Sequence, residues 1–167
     1  MIKNYLLIGF VFLLSSCLKD KQDCGEAGST VAPPNEKQRV LNYLNINPDA
    51  GAVPLDTSGM YYSISTPGNT RKPTLCSVVS IKYQGRLENG NIFDQSSGTS
   101  AISFPLGGLI EGWKRALPLI GEGGKIKLYI PPALGYGPQG LINPQTGAVI
   151  IPANQIIIFD VELVSFR

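Results

Sequence analysis

Short segments in which apolar and polar residues alternate dominate the chain from Gly59 onward. In the segment 125–130, for example, Ile126, Leu128 and Ile130 occupy every second position. A period of two is typical of a β-strand with one buried face. Glycine and proline together supply 32 of the 167 residues (19 and 13), so turns between such strands are frequent. The other alternating segments lie at 59–65, 75–84, 92–94, 102–104 and 156–166.

Two stretches have helical spacing instead. We expect a short helix over about 35–46, capped by Asn35, and a second one that begins near Leu109 and ends near Leu117, because Pro118 interrupts it. Residues 131–153 are rich in glycine and proline and are predicted to form a long loop. The pattern predicts an α+β domain in which five or six antiparallel strands form a curled sheet around one short helix. The apolar positions of the two helices are Val40, Leu41 and Leu44 in the first, and Ile110, Trp113, Leu117 and Ile120 in the second.

The composition excludes several kinds of chemistry. The chain has no histidine, so it cannot form a histidine-dependent catalytic triad or a histidine-ligated metal site. Its three cysteines are too few for an all-cysteine zinc site. A formal net charge of +2 gives no electrostatic basis for nucleic-acid binding, which needs a clustered basic face. We therefore expect no metal, no cofactor and no nucleic-acid partner.

The first 16 residues have the features of an export signal. Lys3 precedes a ten-residue apolar run, 5–14, which is too short for a full bilayer crossing of about 20 residues. The run ends in Leu14-Ser-Ser-Cys17, which resembles a bacterial lipobox, in which the cysteine is lipidated and becomes the new first residue. The prediction is a chain anchored at Cys17 to a bacterial envelope membrane, with the outer membrane favoured, and a domain in the periplasm or at the surface. The alternative is an ordinary signal peptide followed by a chance cysteine.

Residues 17–34 are charged or small and have no apolar periodicity, so we expect a flexible tether between the signal peptide, 1–16, and the folded domain, 35–167. Once Cys17 is lipidated, Cys24 and Cys76 remain as an even pair of thiols in an exported protein. Parity places Cys76 on the outer face of its strand, where the tether can reach it. The prediction is a disulfide between them, with two free thiols as the alternative.

Five motifs in unbroken order, from about Gly59 to the C terminus, resemble the FKBP family of peptidyl-prolyl cis-trans isomerases. They are Ile81-Lys-Tyr-Gln-Gly-Arg-Leu-Glu-Asn-Gly90, Phe93-Asp94, Leu109-Ile-Glu-Gly-Trp113, Gly135-Tyr-Gly137 and Ile151-Pro152 leading to Phe159-Asp-Val-Glu-Leu163. The resemblance implies a monomeric isomerase that acts on proline-containing polypeptides and assists the folding of exported proteins. It also implies possible affinity for macrolides such as tacrolimus.

The family's pocket residues can be assigned one by one. Resemblance implies that the catalytic pocket consists of Tyr83, Phe93, Asp94, Trp113, Tyr136 and Phe159, with substrate-binding positions at Ile102, Phe104, Leu109, Ile110 and Ile151. Trp113 would form the floor, Asp94 would be the pocket carboxylate, and the Tyr136 hydroxyl and the Ile151 N–H would hold carbonyl groups. Residues 141–148 look inserted relative to the family, and no arginine follows Asp94 closely to pair with it.

A pocket of this kind needs no ionisable catalyst. The barrier to rotation about a peptide bond, about 18–20 kcal/mol, arises from amide resonance, and water stabilises the dipolar planar form. An aromatic, water-excluding site therefore lowers the cost of twisting an X–Pro amide. Two other functions stay open at this point: a binding module of the same fold with little catalysis, and a structural lipoprotein of an outer-membrane assembly. The aromatic residues would then be ordinary core, and Asp94 a turn-capping carboxylate.

Overall fold

The computed structural model describes residues 24, 26–98 and 100–167, so the predicted signal peptide and Cys17 lie outside the described residues. Two α-helices are present, α1 (Pro34–Ile46) and α2 (Glu111–Ala116). Nine strands accompany them within the described ranges: β1 (Val53–Pro54), β2 (Tyr61–Thr66), β3 (Val78–Leu87), β4 (Ile92–Gln95), β5 (Ile102–Pro105), β6 (Gly124–Ile130), β7 (Leu141–Ile142), β8 (Val149–Ile151) and β9 (Ile157–Phe166).

Seven strands form one antiparallel sheet in the order β1-β2-β6-β9-β3-β4, and β5 pairs with the first half of β3. The long central pair, β3 and β9, runs in register from Leu87 opposite Ile157 to Val79 opposite Phe166, with one irregularity near Ser80. β7 and β8 form a separate hairpin. The predicted class, a curled antiparallel sheet with a short helix, is confirmed. The two-residue β1 is the strand of the main sheet that the sequence pattern misses.

The main core lies between the sheet and α2. Alternate residues of β6 and β9 point to this side, as their spacing predicts, and pack with side chains of β3 and α2. Trp113, Ala116 and Leu117 are buried here. We call this side of the sheet the α2 face. Its strand residues are Val79, Ile81, Leu87, Ile126, Leu128, Ile130, Ile157, Phe159, Val161 and Leu163.

A smaller core lies on the opposite side of the sheet, beneath α1, and we call this the α1 face. Val40 of α1 packs there against Tyr129, Ile156 and Ile158, all at most 1% exposed. A strict alternation predicts these strand positions to be solvated. They are buried because α1 folds back over the sheet and covers them.

Helix α1 differs from its prediction in two respects. Its N-cap is Pro33, with Pro34 as the first helical residue, so Asn35 is not the cap. Proline suits the first helical position because its missing N–H would have no partner there. Leu41 is 36% exposed, whereas Val40 is fully buried, so the buried face is rotated away from Leu41.

The strand predicted at 75–84 is displaced towards the C terminus. β3 begins at Val78, and Cys76 lies in the turn before it, so the outer-face position inferred for Cys76 from strand parity is wrong. Cys76 is exposed and forms a disulfide with Cys24, with the two Cα atoms 5.1 Å apart.

The predicted loop at 131–153 contains the β7–β8 hairpin. Ile142 pairs with Val149 across it, and the turn between them is closed by Asn143, whose side chain accepts the N–H groups of Gln145 and Thr146. The hairpin accounts for the segment 141–148 that looks inserted. Its strands are only two and three residues long, too short for their alternation to stand out.

The segment 26–34, predicted as part of a flexible tether, lies against the domain. Ala32 is 2% exposed and donates its N–H to the Ser58 carbonyl at 2.9 Å. The Gly28 N–H donates to the Glu111 carboxylate of α2 at 2.7 Å. Small residues make these contacts through their backbone groups. Because no apolar side chains are needed, the sequence shows no apolar periodicity here.

Candidate functional site

Four aromatic side chains meet on the α2 face at the point where α2 crosses the central strands. The Trp113 and Phe159 rings lie 4.8 Å apart between centroids at 82°, and Phe93 meets Phe159 at 5.5 Å and 82°. Tyr83 contacts Trp113 edge-to-face at 5.4 Å. Edge-to-face pairs at these distances are favourable because the positive edge of one ring meets the negative face of another. The four rings form a continuous apolar floor and wall.

Each of these rings is placed by a different element. Tyr83 lies on β3 and Phe159 on the neighbouring β9. Phe93 lies on the short β4, and Trp113 in the first turn of α2. Trp113 and Phe159 are 4% and 3% exposed, whereas Tyr83 and Phe93 are half-buried. The buried pair therefore forms the floor and the half-buried pair forms the rim.

Gly85 of β3 makes room for two of the rings. A Cβ atom at this position would lie 2.6 Å from the Phe159 ring and 2.6 Å from the Phe93 ring. Such distances are far below van der Waals contact. Gly85 is thus a steric requirement of the aromatic site, a role that the sequence motif alone does not reveal.

Asp94 is exposed at the rim and accepts a hydrogen bond from the Tyr83 hydroxyl at 2.7 Å. Burial and this hydrogen bond to Asp94 raise the pKa of Tyr83 well above its usual value of 10.0. The hydrogen-bond partner of Asp94 is therefore Tyr83. The sequence showed only that no arginine follows Asp94 closely. The hairpin turn at 88–91 could have identified this partner, because that turn sets β4 against β3 and places Gly85 opposite Asp94.

Tyr136 is half-buried and packs against the main core. Burial, with a smaller contribution from the Asp94 charge, raises the pKa of Tyr136. Its hydroxyl is protonated at neutral pH, as an ordinary tyrosine hydroxyl is, and can donate a hydrogen bond. Tyr136 and Asp94 thus supply polar groups at an otherwise apolar site.

The indole nitrogen of Trp113 is buried and has no hydrogen-bond acceptor among the described residues. A buried donor without a partner is unfavourable by about 1–3 kcal/mol. The floor of the site therefore contains one donor that no described residue satisfies.

The remaining predicted site residues, except Ile102, belong to the main core or pack against it. Ile151 is 1% exposed in β8, and Phe104 meets the Tyr83 ring at 6.4 Å. Ile102 is 37% exposed and is not among the side chains packed on the main core. Leu109 and Ile110 are partly buried against that core.

A second groove, of about 690 Å³, has a different character. Most of its lining residues are polar or charged, although Tyr83, Ile126 and Val161 also line it. Several of the charged side chains are already paired. Arg86 contacts Asp160, and Lys125 lies 3.6 Å from Glu162. The aromatic site has the apolar walls and the few polar groups that small ligand sites share, whereas this groove does not.

Two kinds of feature are absent from the part of the chain that the structure describes. No group of three or more acidic or cysteine side chains there is arranged to hold a metal ion. In those same ranges, no helix is long and apolar enough to cross a membrane.

A curled antiparallel sheet with an indole-floored aromatic site defines the FKBP-like class of domains. The family model described as FKBP-type peptidyl-prolyl cis-trans isomerase matches residues 69–164, more than half of the chain. The chain belongs to this family.

Similar proteins come from several bacteria. The chain is 36% identical over 129 residues to a probable FKBP-type peptidyl-prolyl cis-trans isomerase FkpA of Neisseria meningitidis, covering 77% of this chain and 45% of that protein. It is 36% identical over 133 residues to the peptidyl-prolyl cis-trans isomerase Mip of Coxiella burnetii, covering 79% and 54%. The chain thus spans about half the length of these curated relatives.

Solved structures agree with this assignment. The crystal structure of FkpA from Escherichia coli superposes with a TM-score of 0.66 at 32% identity, covering 80% of this chain and 60% of that one. A peptidyl-prolyl cis-trans isomerase from Pseudomonas syringae superposes with a TM-score of 0.65 at 29% identity, covering 83% and 98%.

Proposed function

We propose that the protein is a peptidyl-prolyl cis-trans isomerase that assists the folding of exported or envelope proteins. The observation that carries the proposal is the edge-to-face cluster of Tyr83, Phe93, Trp113 and Phe159 on the α2 face. Membership of the FKBP-type family supports the same activity.

The proposed mechanism is the desolvation and twisting of the X–Pro amide. The prolyl ring packs on the Trp113 indole, with the half-buried rings of Tyr83 and Phe93 at its sides, and water is excluded from the amide. The dipolar planar form then loses its solvation, and the barrier of about 18–20 kcal/mol falls. An acceleration of about 10⁵ requires a reduction of about 7 kcal/mol.

Polar groups orient the twisted amide in this mechanism. The Tyr136 hydroxyl, which is protonated at neutral pH, donates to one substrate carbonyl, and the Ile151 N–H donates to another. Asp94 accepts from Tyr83, so it fixes the orientation of that ring and contributes a negative potential at the rim. No proton is transferred in this scheme.

We also propose the location and the ligands of the protein. The lipobox-like sequence at 14–17 supports lipidation at Cys17, with the domain held at an envelope membrane, the outer membrane favoured. The Cys24–Cys76 disulfide supports an oxidising compartment such as the periplasm. Proline-containing polypeptides are the proposed substrates of a monomeric enzyme, and tacrolimus is a proposed inhibitor.

Variants of the aromatic walls test the proposed function. In a protease-free assay of X–Pro isomerisation on the full-length chain in mild detergent, Trp113→Ala and Phe159→Ala should each lower kcat/KM by about tenfold or more, about 1.4 kcal/mol of barrier. Asp94→Asn keeps size and polarity and should cost less. Circular dichroism first establishes that each variant is folded.

The outcomes separate the alternatives. Full activity in both folded wall variants would contradict the pocket assignment. A wild-type chain that binds proline peptides but accelerates none of them would support the binding module instead. Inhibition by tacrolimus, measured in the same assay, tests the macrolide proposal.

A further inference from the structure

We infer that residues 26–32, which we call the strap, position the Trp113 floor for catalysis. This inference rests on the proposed isomerase activity. The strap precedes residue 69, where the match to the FKBP-type family model begins.

The strap binds the residues of α2 that lie two positions before and two positions after Trp113 in the sequence. Glu111, two residues before Trp113, accepts the Gly28 N–H at 2.7 Å. Arg115, two residues after it, donates to the carbonyl oxygens of Gly28 and, at 2.8 Å, Thr30. The two side chains that flank the indole along the helix therefore hold the same short piece of backbone.

Arg115 is the most buried charged side chain of these contacts, whereas Thr30 and Asp56 are exposed. The Arg115 side chain is 10% exposed, and its guanidinium also lies 3.6 Å from Asp56 and 3.8 Å from Glu111. A Cβ atom on Gly28 would lie 3.0 Å from the Glu111 carboxylate, so the backbone of the strap sits directly against the helix. Removing one partner of a mostly buried charged pair is unfavourable, because the other charge is left uncompensated.

Helix α2 depends on such contacts because it has only six residues. A helix this short is unstable alone, so tertiary contacts must set its position. On its inner side, Gly112 allows close approach to Ile130, where a Cβ atom would lie 2.6 Å from the Ile130 side chain. The strap holds the same helix through its hydrogen bonds to Glu111 and Arg115.

The strap is itself fixed at both ends. On its N-terminal side the disulfide joins Cys24 to Cys76. At its C-terminal end Ala32 is buried in the same core as Trp113 and donates its N–H to the Ser58 carbonyl at 2.9 Å. Helix α1 begins two residues later. A segment clamped in this way can transmit its position to α2.

Catalysis in such a site depends on the exact position of the groups that contact the substrate. Displacing a reacting group by about 1 Å can lower a rate by up to about 10²-fold. Loss of the strap contacts would leave α2 held by its inner side alone, and the indole would shift beneath the prolyl ring.

Arg115→Ala in the full-length chain tests the inference. We expect kcat/KM on an Ala-Leu-Pro-Phe tetrapeptide to fall about tenfold, within the range that a displaced group produces. Trp113 is the single tryptophan, so its emission reports the floor directly. The emission should shift to longer wavelength and acrylamide quenching should rise, while the far-ultraviolet circular dichroism stays that of the wild type.

Two further variants make the test specific. Arg115→Lys keeps a donor for one carbonyl and should recover part of the activity and of the emission. Arg71→Ala is the matched control, since Arg71 also pairs with a glutamate, Glu122 at 2.7 Å, and reaches a backbone carbonyl, that of Phe166. It lies away from α2 and should change neither readout.

Cys24→Ser provides an independent variant should Arg115→Ala fail to fold. Release of one end of the strap should change the Trp113 emission and lower the activity in the same direction as Arg115→Ala. Wild-type emission and activity in folded Arg115→Ala or Cys24→Ser would overturn the inference, as would an emission change without loss of activity. An inactive wild-type chain would refute the proposed function. Even in that case, an unchanged Trp113 emission in the variants would show that the strap does not position the indole.

Discussion

Trp113 is the residue on which the site is built, and its indole nitrogen has no acceptor among the described residues. Replacing the indole by a phenyl ring keeps an apolar floor and removes the unsatisfied donor, whose burial is unfavourable by about 1–3 kcal/mol. The smaller ring leaves a cavity that offsets this gain at about 24 cal/mol per Å³.

We therefore expect Trp113→Phe to have a free energy of unfolding within about 1 kcal/mol of the wild type, and Trp113→Ala to lose about 3–5 kcal/mol. Urea unfolding followed by circular dichroism measures both. Equal destabilisation by the two substitutions would show that the indole N–H has a stabilising partner in the folded protein.

Two tyrosines make the stability depend on alkaline pH. Burial and hydrogen bonds to carboxylates raise the pKa of Tyr83 beside Asp94 and of Tyr129 beside Asp49, whose carboxylate lies 2.6 Å from the Tyr129 hydroxyl. Above pH 10, the ordinary pKa, the unfolded state loses these protons while the folded state keeps them. The stabilisation is thus fully present below about pH 10 and falls as the pH rises further.

The urea midpoint of the wild type should accordingly fall as the pH rises above about 10. Tyr129→Phe, which has no proton to lose at this position, should show a shallower fall, although it is less stable at neutral pH because Asp49 loses a hydrogen bond. A fall as steep as that of the wild type would contradict the assignment to Tyr129.

At the scale of elements, β3 contributes Gly85, whose missing side chain leaves space for the aromatic rings of the site. Gly85→Ala would force a Cβ atom against the rings of Phe93 and Phe159. Overpacking of this kind costs about 1–3 kcal/mol, and we expect a lower free energy of unfolding together with a loss of isomerase activity. Gly108→Ala is the matched control, because its Cβ atom would meet nothing within 4 Å. Equal activity in the two variants would contradict the role of Gly85.

The long strands could be predicted from the sequence, and the short elements could not. β6 and β9 alternate over seven and ten residues, so Ile126 and Val161 fall on the buried face as expected. β1 contains a proline and spans two residues, which is too short for a period to appear. The burial of Tyr129 depends on α1, a distant segment, and no local pattern reports it.

For the candidate site, the sequence could predict the aromatic residues but not how they are held. The five aromatic positions follow from motif order, and the structure brings four of them together around Trp113 and places Tyr136 on the same core. The pairing of Tyr83 with Asp94 depends on strand register, and the docking of Gly28 on α2 depends on backbone hydrogen bonds. Neither leaves a compositional signal.

At the scale of the whole molecule, we propose that the N-terminal segment anchors the domain to a membrane. We expect the mature protein to begin at a lipidated Cys17, because Leu14-Ser-Ser-Cys17 resembles a lipobox and several acyl chains anchor a protein stably at about 0.8 kcal/mol per buried methylene. Mass spectrometry of the N-terminal peptide should find diacylglycerol on Cys17, and Cys17→Ala should be released from membranes. An unmodified N terminus, or equal release of both forms, would contradict this prediction.

The central claim is that an aromatic, water-excluding pocket accelerates X–Pro isomerisation without an ionisable catalyst. The most direct test is the pH dependence of kcat/KM of the full-length wild type on an X–Pro peptide between about pH 6 and pH 8, in an assay free of protease. The chain has no histidine, so no side chain has an ordinary pKa in that range. We predict a clear acceleration over the uncatalysed rate that changes by less than about twofold across the range. No acceleration on any X–Pro peptide, or a bell-shaped profile within this range, would contradict the account.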